Sequence, residues 1–227
     1  MPPSSNFFSI IAGVGAGTGQ SVALKFALSY PVVLLARDPA NYEPTVKAIT
    51  SSGGQAIGIS TDVSDPSSVS NAFEEIKKQY GSKKLAAAVY NVGASLKGFY
   101  LFAQKALPLL LDSVADSPHP PSLIVTGATA SLRGGALMSS FASGKFALRA
   151  TTQSLAREFG PQGVHVAHAI IDGVIDIPRT KEWKANGGVE DGKIKPDAIA
   201  DAYWYLHTQH RSHFTQELDV RPYVEKF

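Results

Sequence analysis

The run from Phe8 to Phe26 reads as an apolar strand, a glycine turn at Gly13, Gly17 and Gly19, and then an amphipathic helix. Backbone N–H groups at such a turn meet an anion, a pyrophosphate above all, at a helix N-terminus, where the dipole favours negative charge. Beyond this unit the chain goes on alternating strand and helix, which argues for a parallel sheet covered on both faces. The pattern predicts strands at 9–12, 32–36, 56–60, 86–90, 123–126, 165–171 and 217–220. It predicts helices at 18–29, 42–51, 66–78, 96–113, 139–159 and 196–207. Asp65-Pro66 and Lys195-Pro196 have the form of helix starts, with proline early in the first turn. The segment 112–122 is a polar, proline-containing loop, and 179–195 is polar and glycine-containing and lies where a lid over a ligand would lie.

The fold class that follows is α/β, a Rossmann-type doubly wound parallel sheet of about seven strands, with 1–227 forming a single dinucleotide-binding domain. The length suits one domain with a large core, and a hydrophobic content of 44% fits a globular chain. A net charge of +2 gives no reason to expect nucleic acid or an anionic membrane as a partner. The absence of cysteine excludes disulfides and thiolate metal sites, and a cytoplasmic location is expected. The opening residues carry no basic region, so the apolar run behind them reads as a buried strand and not as a signal peptide. No apolar stretch is long enough to cross a bilayer.

The spacing of Gly13, Gly17 and Gly19 resembles that of the short-chain dehydrogenase/reductase family. Thr61-Asp62-Val63 after the third strand resembles the family's adenine-contacting segment. Tyr90-Asn91-Val92-Gly93 after the fourth stands in place of its Asn-Asn-Ala-Gly. The run from Lys97 to Pro108 resembles its long interface helix, and the segment around Lys145 its active-site helix. Asp172-Gly173, continuing to Pro178, resembles the Pro-Gly segment beside the nicotinamide. The resemblance covers nearly the whole chain. It implies an oxidoreductase acting on a small-molecule carbonyl or alcohol, assembled as a homodimer or homotetramer through the helices at 96–113 and 139–159. It also implies that Gly13, Gly17, Thr18, Gly19, Asp62, Val63, Asn91, Gly93, Lys145, Gly173 and Ile175 line the cofactor. Arg37 follows the second strand, where an acid would accept from ribose hydroxyls and an arginine pairs with a 2′-phosphate. Its planar fork suits phosphate, so NADP(H) is preferred over NAD(H). The alternative turns Asp38 toward the ribose and leaves Arg37 on a solvated loop.

The family's chemistry uses a serine, a tyrosine and a lysine, with an asparagine supporting a water relay. The tyrosine exchanges the proton, and the lysine holds the ribose and lowers the tyrosine pKa. Here Lys145 is in place, Phe141 stands at the tyrosine position and Ala128 at the serine position, with Thr129 beside it. A phenyl ring donates no proton. Ser131 is a poor substitute, because it takes the place of a turn glycine. The asparagine position falls near Ser95, and the chain passes from Gly93 to Leu96 almost directly, where family members carry a further stretch. The sequence leaves open whether that connection is truly short or a loop is absent from it.

Three readings follow from this degenerate catalytic set. The first is an NADP(H)-dependent oxidoreductase with an atypical proton path, through water, Thr129, Ser143 or the substrate. The second is a cofactor-binding protein without turnover, acting as a sensor or partner subunit, and the third is a non-redox enzyme on the same fold. Carboxamide contacts are expected from backbone at Ile175, since Ile177 holds the family's threonine position. Asp172 replaces a proline and is expected to cap or hydrogen-bond locally. His207, His210 and His213 are expected to be solvated beyond a helix end, and no metal site is expected. His165 and His168 point to opposite faces of a strand.

Overall fold

The computed structural model of the protein describes residues 6–226, so the opening residues 1–5 lie outside it. Seven strands form one parallel sheet: β1 (Phe7–Ala12), β2 (Val32–Ala36), β3 (Ala56–Ser60), β4 (Lys84–Tyr90), β5 (Ser122–Thr126), β6 (His165–Ile171) and β7 (Glu217–Val220). Their spatial order is β3-β2-β1-β4-β5-β6-β7. The chain therefore winds outward from β1 in one direction and, after crossing to β4, outward in the other. Such a reversal leaves a crevice beyond the carboxyl ends of the two central strands, where ligands of open α/β sheets bind.

Among the described residues six α-helices cover the faces: α1 (Thr18–Ala27), α2 (Glu43–Ser51), α3 (Pro66–Tyr80), α4 (Leu96–Ser113), α5 (Ser139–Phe159) and α6 (Pro196–His207). Alternate residues of the central strands feed two separate cores. Phe8, Ile10, Val33, Leu35, Ala88 and Tyr90 pack with α3, α4 and α5, while Ile11, Leu34, Val89 and Ile124 pack with α1, α2 and α6. β1, β2, β4, β5 and β6 are buried at nearly every position, and their mostly apolar sequences are what burial on both faces demands. The edge strands β3 and β7 are partly exposed, and their polar positions follow from that. Asp65 caps α3, its carboxylate accepting from the Ser67 and Ser68 amides at 3.1 and 3.2 Å, as the Asp-Pro start implied. The predicted elements match throughout, with shifts of a few residues at several ends.

One expectation is overturned. His207 ends α6 but is fully buried, and only His210 and His213 are exposed beyond it. The His207 ring bridges the Tyr30 and Ser122 hydroxyls at 3.0 and 2.8 Å, and Phe26, His119 and Trp204 surround it. The apolar positions of α6 lie on the same stripe as His207, and this helix rides over the sheet between α1 and β5. A histidine on that stripe goes inward when two hydroxyls are there to satisfy both its nitrogens.

Burial holds two histidines neutral. Desolvation lowers the His207 pKa from 6.5 to about 3, and the like charges of His119 and His165 push the same way. Desolvation also lowers His168 from 6.5 to about 4. Folded values below unfolded ones mean that the unfolded chain binds the extra protons. The stability contributed by each group is complete above about pH 6.5 and is lost as the pH falls toward 4 and 3. Urea denaturation at pH 7 and pH 5 is expected to differ by ~2 kcal/mol for each of these histidines. Identical unfolding free energies at the two values would contradict the buried neutral assignment.

Candidate active site at the strand tips

The candidate residues converge because the sheet is parallel throughout. Gly13 follows β1, Arg37 follows β2, Asp62 and Val63 follow β3, and Asn91 and Gly93 follow β4. Ala128 and Thr129 follow β5, and Gly173 and Ile175 follow β6. All these tips lie along one edge of the sheet. Helix α5 adds Phe141 and Lys145, one turn apart on one helix face.

At the centre, β1 and β4 are tied by their own backbone. The Asn91 amide donates to the Ala12 carbonyl at 2.8 Å, and the Asn91 side-chain nitrogen donates to the Gly13 carbonyl at 3.0 Å. Gly13 has a φ of 88°, and a Cβ on it would lie 2.2 Å from the Asn91 carbonyl oxygen. A Cβ on Gly19 would lie 2.4 Å from the Gly13 carbonyl oxygen and 2.8 Å from Val14 Cα. Glycine at these positions lets α1 sit directly on the turn. Gly17 is the N-cap of α1, and no side chain caps this end of the helix. A Cβ on Gly17 would come within 2.6 Å of Ile177 Cγ2, so the segment after β6 reaches over the turn. Thr18 is buried, and Gly93 is exposed with open space beside it.

Arg37 is exposed, and its charge helps to hold the Asp62 carboxyl below the usual carboxylate range, after the larger effect of hydrogen bonds from Ser64. Asp38 is occupied elsewhere: its carboxylate accepts from the Ala40 amide at 2.9 Å and caps the short helical turn at Pro39–Asn41. The two residues at the end of β2 therefore divide their work, one facing solvent and the other closing a turn.

The connection from β4 to α4 closes as a compact turn. Ser95 Oγ accepts from the Gly98 amide at 3.1 Å as the N-cap of α4, and the Ser95 carbonyl accepts from the Tyr90 hydroxyl at 3.2 Å. Ala94 lies against Gly144, where a Cβ would meet the Ala94 carbonyl oxygen at 2.3 Å. The shortened turn is thus seated on α5, one residue from Lys145. This contact was not foreseen from the sequence, although a glycine beside Lys145 in mid-helix was its visible signal.

Beyond β5, Ser131 is buried and turned inward, accepting from the Ala128 amide at 3.2 Å and lying 3.4 Å from His168 Nε2. Thr129 donates its hydroxyl to Asp172 Oδ1. Ser143 donates to the Ser140 carbonyl at 3.1 Å. Asp172 was expected to cap or hydrogen-bond locally; it does hydrogen-bond, but to residues distant along the chain. It is 2% exposed, accepts from Thr129 across the strand tips and pairs with Arg221 beyond β7 at 3.4 Å. A buried carboxylate needs partners, and its place between the tips of β5 and β7 supplies them. The Ile175 carbonyl accepts the Thr180 hydroxyl, and Ile175 pairs with Ile194 in a short parallel bridge. Lys193 donates to the carbonyls of Thr180 and Lys181 at 2.8 Å each, and Asn186 donates to Glu225 Oε2 at 2.7 Å. The segment 179–195 is therefore pinned at both ends. Lys193, Asn186 and Arg221 were not singled out in the sequence, because their partners lie on other loops.

Lys145 is 4% exposed, and its ammonium donates to the Thr126 carbonyl at 2.8 Å. The Phe141 ring lies 5.8 Å from Nζ, in cation–π range. Burial lowers the Lys145 pKa from 10.5 to about 8. Among the described residues no group of three or more His, Asp or Glu side chains is placed to hold a metal.

A family model described as short chain dehydrogenase matches residues 8–187. A short-chain dehydrogenase/reductase of Armillaria gallica is 27% identical over 83% of this chain and 78% of its own length. A short-chain dehydrogenase from Rhodopseudomonas palustris is 30% identical, covers 97% of this chain and 100% of its own, and superposes with a TM-score of 0.76. A short chain dehydrogenase from Burkholderia cenocepacia, solved in complex with NADP, superposes at 0.80 with 22% identity, covering 96% of this chain and 97% of its own.

The glycine contacts separate two roles. In Gly19→Val the new side chain meets backbone, so the melting temperature is expected to drop by several degrees, in keeping with roughly 1–3 kcal/mol of overpacking. In Gly17→Val it meets the Ile177 side chain at its Cγ2 methyl, and the melting temperature is expected to fall less than in Gly19→Val while dinucleotide binding is lost. Equal melting losses in both variants, or undiminished binding in Gly17→Val, would contradict this division.

Proposed function

The chain belongs to the short-chain dehydrogenase family, and on that premise we propose that it is an NADP(H)-dependent oxidoreductase of a small carbonyl or alcohol with a proton path that bypasses tyrosine. The observation that carries the reading is the pairing of a preserved Lys145, buried at the tip of β5, with Phe141 in front of it. The residues present fit a nicotinamide dinucleotide. A side chain at Gly13 or Gly19 would strike backbone and one at Gly17 would meet only the Ile177 side chain, and the α1 N-terminus carries no side-chain cap, as a pyrophosphate seat requires. Gly17, Thr18 and Gly19 would hold the pyrophosphate, and Asp62 and Val63 the adenine. Asn91 and Gly93 would border the ribose, and Gly173 and Ile175 the nicotinamide. When bound, the nicotinamide supplies or accepts the hydride.

The chain's own part is to bind, orient and exclude water. Lys145 would hold the ribose hydroxyls by the N–H groups that Thr126 leaves free. The Phe141 ring stands beside the ammonium and gives no proton. Ala128 offers no hydroxyl to the substrate, and the Ser95 side chain is spent as a helix cap. We assign the serine and tyrosine of the family as absent on this basis. Arg37 favours the NADP form, since Asp38 is committed to its turn and no acid faces the ribose from that position. The exposed Tyr100 lines a groove of about 270 Å³ with Leu107 and Leu155, and together with the exposed Leu109 of α4 and Phe146 of α5 it supports a homodimer or homotetramer through these helices. Among the described residues no helix is long and apolar enough to cross a membrane.

NADPH is expected to bind more tightly than NADH by roughly 1.5–3 kcal/mol, a preference that Arg37→Ala removes, as read by calorimetric titration. Equal affinities in the native protein would contradict the assignment. Turnover of simple ketones is expected to be slow, and Phe141→Tyr is expected to raise it toward the roughly 10²-fold that a positioned acid supplies. A fast native enzyme slowed by Phe141→Tyr would contradict the view that the absent hydroxyl limits the rate.

A further inference from the structure

The hydroxyls around Lys145 are already committed. Thr129 donates to Asp172, Ser143 to a carbonyl of its own helix, and Ser131 is buried against His168. The Ser95 hydroxyl caps α4, and the Tyr90 hydroxyl donates to the Ser95 carbonyl. Phe141 has no proton to give. Lys145 differs from all of these. Its ammonium carries three N–H bonds, and one is used on Thr126. No carboxylate pairs with it among the ion pairs of the described residues. It is buried at the same tip as the family's missing tyrosine and serine.

Resting on the oxidoreductase reading, we propose that the Lys145 ammonium is itself the proton donor to the substrate carbonyl. A bound reduced nicotinamide would supply hydride to the carbonyl carbon, and as that carbon is reduced one N–H bond of Lys145 would break and an O–H bond would form on the substrate. The products are the alcohol, the oxidised nucleotide and a neutral amine, which regains its proton from water. Oxidation runs in reverse, with the neutral amine as the base. The burial that holds this amine near a pKa of about 8 makes both states accessible around neutral pH. The titratable group facing it from β6 is His168, kept neutral by its own burial. Glu217 from β7 is held by Arg149 of α5 at 2.7 Å and stays ionised, and Asp172 at the end of β6 is engaged by Thr129 and Arg221. None of the three is positioned by a hydrogen bond to Lys145, so its titration is set by burial.

The test has two arms. In the first, lysine carrying isotope-labelled carbon at Cε is followed by NMR in the full-length native protein, and the Lys145 signal is assigned by its loss in Lys145→Arg. A midpoint near pH 8 is expected with no cofactor added, and a midpoint above 10 overturns the proposal. In the second, NADPH-dependent reduction of a panel of activated ketones and quinones is measured from pH 6 to 10. The native rate is expected to fall tenfold per unit above about pH 8. Lys145→Arg keeps the charge but cannot release a proton, so its kcat is expected to drop roughly 10²–10⁴-fold, well beyond any loss in NADPH affinity. A native rate that is flat to pH 10, or a Lys145→Arg enzyme that keeps its kcat, overturns the proposal and leaves the oxidoreductase reading intact. NADPH binding without turnover of any carbonyl overturns both.

Discussion

The meeting of β1 and β4 is the constraint on which the rest depends. The chain reverses its winding between these strands, and the crevice at their tips exists because of that reversal. Gly13 and Asn91 close the back of it through the Asn91 side chain, and Gly19 lets α1 sit on the same carbonyl. A side chain at Gly13 or Gly19 would strike backbone, which cannot move aside as a flexible side chain can. The N-terminus of α1 is thereby fixed over the crevice, where its dipole favours an anion.

A second constraint comes from the short turn between β4 and α4. Ala94 rests on Gly144, so the turn and the active-site helix approach as closely as backbone allows. This packing reaches Lys145 through its immediate neighbour. Lys145 is 4% exposed, so its ammonium is taken out of water, with one N–H on the Thr126 carbonyl and the Phe141 ring 5.8 Å away. Such a setting disfavours its charge and moves its titration toward neutrality. Phe141 and Lys145 thus share one site, and the burial of the lysine is what moves its titration.

Much of this was legible in the sequence. The alternation of apolar runs and amphipathic stretches places the strands and the α-helices but not the short 3-10 turns, because burial on both sheet faces writes itself as mostly apolar strands. The glycine spacing and the Phe141–Lys145 register were visible because they are local. Contacts made by distant loops were not. Asp172 was read as capping or hydrogen-bonding locally, yet its partners Thr129 and Arg221 stand on neighbouring strand tips. His207 was read as solvated, yet α6 turns it inward to the hydroxyls of Tyr30 and Ser122. Spacing along the chain gives no sign of either pair. The clamp on 179–195 through Lys193 and Asn186 was hidden for the same reason.

The central claim is that the strand tips form one nicotinamide site with Lys145 at its reacting end. A crystal structure of the protein with NADPH tests this most directly. The account expects the pyrophosphate at the first turn of α1, the 2′-phosphate against the Arg37 guanidinium, and Lys145 Nζ within hydrogen-bonding distance of the nicotinamide ribose, with the Phe141 ring beside the nicotinamide. A nucleotide seated elsewhere, or one that leaves Lys145 bonded to Thr126 alone and out of reach, would contradict it.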